Sequence, residues 1–191
     1  MKIAILGWGS LIWNPGNLGI DKTKGKNGWC DDGPMLPIEF ARISRDGRLT
    51  LVIVPGEKKV QTLYAISKNE ALDLAVQNLA VREGCRVNKI GSYNKQENEF
   101  LPDNFKFQNE IKSWIEEKEN IDGVIWTNLG KKFKDKIGLE WNKENVVNYL
   151  DCLPVEIKAL AEEYVRKAPD SVNSKIRKIV VKELGWTKIH F

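Results

Sequence analysis

The sequence predicts an α+β fold in a single domain over residues 1–191, and three observations carry that prediction. The N-terminal run Ile3-Ala4-Ile5-Leu6 is a short apolar strand halted by Gly7 and Gly9. Between residues 38 and 66, three further strand-like runs are separated by turn residues. From residue 67 onward the apolar residues recur at helical spacing, interrupted by one more buried strand, Gly123-Val124-Ile125-Trp126-Thr127. A chain of 191 residues can bury well over half of its unfolded surface, so no disulfide or metal staple is needed.

Taken in order, residues 14–37 are rich in Gly, Asn, Asp and Pro, with Asp31-Asp32-Gly33-Pro34 as a turn cluster, and read as an irregular excursion. Strands at 38–43 and 49–54 are joined through Asp46-Gly47, a hairpin signal, and Pro55-Gly56 ends the second. A third run at 60–66 completes an antiparallel meander. Ser67 and Glu70 have the spacing of a capping box opening a helix over 67–82, whose stripe is Leu72, Val76 and Leu79. Residues 88–102 are polar and read as a loop. Asp103 opens a helix with Phe107, Ile111, Trp114 and Ile115 on one face. After the 123–127 strand, helices are expected at 142–151, from Pro154 through Ile157, Leu160, Ala161, Tyr164 and Val165, and at 171–185.

Composition removes several classes of function. Hydrophobic residues make up 42% and charged residues 29%, ordinary globular values, and no apolar run approaches the roughly 20 residues that span a bilayer. The N-terminus enters a strand directly, with no secretory h-region, which predicts a cytoplasmic protein without membrane association. The net charge of +4 is spread along the chain, and the nearest basic run, Lys131-Lys132-Phe133-Lys134-Asp135-Lys136, is short and broken by an acid, which argues against nucleic acid as a partner. Cys30, Cys85 and Cys152 lack zinc or redox spacing and read as reduced thiols. His190 is the only histidine and lies next to the last residue of the sequence, which argues against a histidine triad or His-rich metal site.

Two features carry chemistry. Leu6-Gly7-Trp8-Gly9-Ser10-Leu11 reads either as a loop whose backbone N–H groups converge on a carboxylate or phosphate, with Ser10 adding a hydroxyl, or as a tight turn with core aromatics. The residues argue against a dinucleotide fingerprint, because Ile12 occupies the third small position and Pro15-Gly16 interrupt the helix that should follow. The second feature is Glu83. Eleven steps of about 100° bring it within about 20° of Leu72, so a carboxylate stands in line with the core stripe near a helix C-terminus. Burial and the helix dipole both raise its proton affinity. It is either a functional acid or half of a buried ion pair with Arg82 or Arg86. Arg42, with Ser44 and Arg48 near the hairpin, is a candidate for binding a substrate carboxylate, since alternation puts it in phase with Ile38 and Phe40.

In their order, these features resemble the γ-glutamylcyclotransferase-like superfamily, including its glutathione-specific ChaC branch. Trp8-Gly9-Ser10-Leu11 is similar to the family's Y-G-S-L loop, and Trp13-Asn14-Pro15 to its ChaC continuation. Tyr64-Ala65-Ile66 through Leu79 to Arg82-Glu83-Gly84 is similar to the segment ending in the catalytic glutamate. The resemblance covers about the first 85 residues. Trp8 stands where the family usually has tyrosine, which keeps the backbone and removes a hydroxyl. What the resemblance implies is a small, mixed, mostly antiparallel β-barrel flanked by helices, needing no cofactor, as a monomer or homodimer. The implied activity is cyclisation of a γ-glutamyl compound to 5-oxoproline with release of an amine or amino acid. Glu83 would be the catalytic acid–base, facing across a pocket Gly7, Trp8, Gly9, Ser10 and Leu11, which with Arg42 would bind substrate. The alternative is a non-catalytic relative that holds a small carboxylate metabolite.

Overall fold

The computed structural model describes residues 1–189, so His190 lies outside the described residues. The fold is mixed α+β with mostly antiparallel strand pairing. Its elements are β1 (Ile3–Gly7), β2 (Met35–Leu36), β3 (Ile38–Ile43), β4 (Leu49–Ile53), β5 (Val60–Gln61), β6 (Leu63–Ile66), α1 (Leu72–Glu83), β7 (Ile90–Asn94), β8 (Glu99–Leu101), α2 (Gln108–Glu116), β9 (Gly123–Thr127), α3 (Phe133–Ile137), α4 (Lys143–Asp151), α5 (Val155–Lys167) and α6 (Lys175–Leu184). The chain divides into two compact units built from separated segments. One holds Met1–Gly7, Asn14–Leu36 and Gln61–Leu129, and the other holds Trp8–Trp13, Pro37–Val60 and the chain from Gly130.

The first unit is a five-stranded sheet in the order β6-β1-β9-β7-β8, where only the β1–β9 pair is parallel. The interior strand β1 is covered on both faces, which is why its four apolar residues run without alternation and are all fully buried. The expected meander does not form. Thr62, buried and with its hydroxyl on the Pro34 carbonyl at 2.7 Å, splits the 60–66 run, and the second piece becomes β6, which pairs with β1 rather than with β4. The sheet is open, with β6 and β8 as its edges, and β3–β4 is a separate pair, so no closed barrel forms among the described residues.

Residues 88–102, expected as loop, contain the β7–β8 hairpin. Tyr93 stacks on Phe100 across it at 4.2 Å, and Gly91 lies so close to the Trp126 indole of β9 that a Cβ there would collide. The residues at 14–36 form an ordered excursion, bridged to the sheet at Ile20↔Ser67 and Cys30↔Tyr64. The capping box does not form. Ser67 Oγ accepts the Asn69 N–H at 3.0 Å, and α1 begins five residues beyond Ser67, after Ala71, with no side-chain cap. α1 packs on β7 and β9 through Ala75, Leu79 and Ala80.

In the second unit, α5 packs on β4, α6 on β3 and on α4. The β3–β4 turn needs Gly47, whose φ is 86°. Asn142 caps α4 and Ser174 caps α6, each accepting the N–H three residues on. The buried Arg177 guanidinium donates to the carbonyls of Val165, Ala168 and Pro169 at 3.1, 3.0 and 2.8 Å, which ties α6 to the C-terminal end of α5.

Candidate functional site

Gly7 and Glu83 belong to the first unit, while Trp8, Gly9, Ser10, Leu11 and Arg42 belong to the second. β1 ends at Gly7, and residues 9–12 turn with the Ile12 N–H donating to the Gly9 carbonyl at 3.0 Å. Gly7, Trp8, Gly9 and Leu11 are buried, and Ser10 is half-buried. Neither glycine takes a positive φ, so conformational freedom is not what fixes them there. Space is. A Cβ on Gly7 would enter the six-membered ring of Trp29, and a Cβ on Gly9 would enter the Tyr164 hydroxyl.

Tyr164, on the buried face of α5, is the residue that sequence reasoning placed only in a core stripe. Its ring meets Trp13 edge-on at 5.3 Å and Phe40 at 6.4 Å, and its hydroxyl lies 3.4 Å from the Leu51 N–H. The Arg48 guanidinium stands 5.8 Å from the ring centroid while its Nε binds Asp46 at 2.8 Å. The loop is thus backed by a phenol that is itself flanked by an arginine.

Glu83 is the last residue of α1, and Gly84 closes the helix in the left-handed conformation, with a φ of 58°. Its side chain is 16% exposed, and Arg82, which shares the helix end, folds back to donate to the carboxylate at 2.7 Å. A second guanidinium nitrogen of Arg82 donates to the Asn14 carbonyl at 2.5 Å. Desolvation pushes the Glu83 carboxyl above the usual carboxylate range, and the opposing attraction of Arg82 does not cancel it.

Arg42 is half-buried, and its guanidinium donates to the Gly130 carbonyl at 3.0 Å. A β-bulge between Phe40 and Arg42 breaks the alternation that placed the two in phase. A second buried carboxylate, Glu39, was read only as part of a strand. It is 1% exposed and accepts from the Phe40 N–H, the Ser174 hydroxyl and the Ile176 N–H at 2.7, 2.5 and 3.3 Å, and burial raises its proton affinity as well. Alternation with Ile38 and Phe40 put it on the outward phase of the strand, so the sequence held no signal of its burial; β3 is buried on both faces.

Among the described residues, no group of three or more His, Cys, Asp or Glu side chains is placed to hold a metal, and no helix is long and apolar enough to cross a membrane. The three cysteines form no disulfide. Comparison of the chain with family models, curated proteins and solved structures returns no match.

Proposed function

We propose that this chain is a γ-glutamylcyclotransferase-type enzyme that converts a γ-glutamyl compound to 5-oxoproline and a free amine or amino acid. The observation that carries the reading is Glu83, a carboxyl held at a glycine-closed helix end with raised proton affinity and an arginine 2.7 Å away. In this reaction the substrate's α-amino nitrogen attacks the γ-carbonyl carbon, the γ-amide C–N bond breaks, and one proton moves from the attacking to the departing nitrogen. No water is consumed. A carboxyl that ionises nearer neutrality than an ordinary glutamate suits both halves of that transfer, worth about 10² to 10⁴ in rate. Arg82 keeps the ionised form accessible.

The 8–11 loop is assigned to the α-carboxylate, and Tyr164 supplies at Gly9 a phenolic hydroxyl of the kind that Trp8 cannot offer. Arg48, over the Tyr164 ring, is the cation this reading takes for substrate charge, while Arg42 holds the chain at Gly130. Kinship with the γ-glutamylcyclotransferase-like superfamily, a cytoplasmic location, a small-molecule partner and cofactor-free chemistry belong to the same proposal.

A second reading, a ligand-binding relative without turnover, is favoured by the Arg82–Glu83 pair itself, since an ion-paired carboxylate is also a common structural element. A screen of glutathione, γ-glutamyl amino acids and γ-glutamylamines for 5-oxoproline release separates the two. Release that disappears in Glu83→Gln supports the enzyme; saturable binding without release supports the second reading; neither binding nor release overturns both.

A further inference from the structure

The second unit contains a cavity of about 350 Å³ walled by five lysines, Lys58, Lys143, Lys175, Lys178 and Lys182, against two carboxylates. The two carboxylates balance only part of that charge. Glu57 neutralises Lys175 at 2.5 Å, and Glu39 is spent below the surface on the Ser174 hydroxyl and two backbone N–H groups. Lys58, Lys143 and Lys178 make no ion pair among the described residues, and Lys182 pairs only with its neighbour Glu183. The three ammonium groups left without an acidic partner, on Lys58, Lys143 and Lys178, repel one another around one concavity, a cost that a multivalent anion relieves.

The arrangement is directional. Lys175, Lys178 and Lys182 stand at i, i+3 and i+7 on α6, one helical face about 10 Å long. Lys143 is the first residue of α4 and Lys175 the first of α6, so both helix starts border the cavity, that of α6 with its Ile176 N–H already held by Glu39. Ile38, Val60 and Ile179 supply an apolar part of the wall. The volume sits at the lower end of the range for small-molecule sites.

We propose that this cavity binds a small organic molecule carrying two or more phosphate groups, its phosphates along the α6 lysines and its carbon framework on the apolar wall. Lysine point charges spaced along a line suit a chain of phosphates better than one planar carboxylate, which calls for a bidentate arginine. A half-open concavity with exposed lysines at its rim, rather than a long stripe, favours a small ligand over a nucleic acid strand. The site is distinct from Glu83 and the 8–11 loop, and stands whether or not the cyclotransferase reading holds.

The test is calorimetric titration of the full chain with inorganic tripolyphosphate, orthophosphate and a 20-nucleotide single strand, at 50 and 150 mM salt. Tripolyphosphate is expected to bind at least 10-fold more tightly than orthophosphate, with one site. Lys178→Gln/Lys182→Gln, at exposed positions, is expected to weaken it at least 10-fold with an unchanged circular dichroism spectrum, and Lys58→Gln, off the helix, to weaken it independently. Lys22→Gln/Lys24→Gln, which removes the same charge from the other unit, is expected to leave binding within 2-fold. Equal weakening by both double variants, no saturable tripolyphosphate binding, or tighter binding of the oligonucleotide would each overturn the proposal.

Discussion

Arg82 grips Glu83 at 2.7 Å while its other arm holds the Asn14 carbonyl, so the cation beside the candidate acid is fixed from a second point and does not depend on Glu83 for its position. Glu83→Gln therefore removes proton transfer without freeing the arginine. If the cyclotransferase reading is right, 5-oxoproline formation in this variant falls by at least about 10²-fold, with γ-glutamyl ligand affinity largely kept. Near-normal turnover would remove Glu83 from the chemistry.

The same substitution tests the electrostatics. A carboxyl whose folded-state pKa is raised stabilises the fold most fully below the ordinary value of 4.5, and that contribution is lost as pH rises through the higher folded-state value. Wild-type protein thus pays for ionising Glu83 at neutral pH and the glutamine variant does not. Denaturant titrations between pH 4.5 and 8 should show the stability difference moving in favour of Glu83→Gln as pH increases. A difference that moves the other way would mean that Arg82 outweighs desolvation. In activity, the rising limb of kcat/KM should lie above the pH of an ordinary glutamate.

Gly9 is predicted to be intolerant because of what stands against it. Gly9→Ala should cost about 1–3 kcal/mol through overpacking on the Tyr164 hydroxyl, and Tyr164→Phe should recover part of that loss. Urea unfolding of the two single variants and the double variant measures the coupling. Strict additivity would show that the glycine is there for another reason.

The arginines of the hairpin should separate by function. Arg48→Met is expected to raise KM for a γ-glutamyl substrate several-fold, since its guanidinium lies over the Tyr164 ring. Arg42→Met is expected to lower stability slightly through loss of its bond to Gly130 and to leave KM unchanged. Steady-state kinetics with matched thermal melts decides between this assignment and its reverse.

Glu39 makes a contrasting case, a buried acid with a structural task. Glu39→Ala strands the Ser174 hydroxyl and the Ile176 N–H at the start of α6, and is expected to destabilise the protein by about 1–3 kcal/mol per donor left unpaired. Any loss of activity should then follow loss of folded protein, as circular dichroism at the assay temperature would show.

How far these features could be read in the sequence depended on range. β1 and β9 were legible because burial on both faces leaves an unbroken apolar run, and the inner face of α1 because burial on one side imposes a local period, of which the phase that pointed Glu83 inward is a part. The β7–β8 hairpin was not, since its strand residues Gly91 and Ser92 are small or polar and are buried against β9, where Trp126 lies over Gly91 and Ile125 pairs with Ser92, more than thirty positions away. The meander failed at a single residue, Thr62, whose bond to Pro34 no periodicity could signal. Gly7 and Gly9 stood out in the sequence, but for a reason the sequence hides: the rings of Trp29 and Tyr164 fill the space a side chain would need.

The position of β1 in its sheet sets a timetable for the growing polypeptide. Ile5 aligns with Ala65 on one side and Ile125 on the other. At ordinary translation rates the second neighbour is synthesised roughly 6–24 s after Ile5 itself. During that interval a ribosome-bound chain holds an unbroken apolar strand with at least one edge unpaired, a surface that invites pairing with a neighbouring nascent chain and that a holding chaperone would shield.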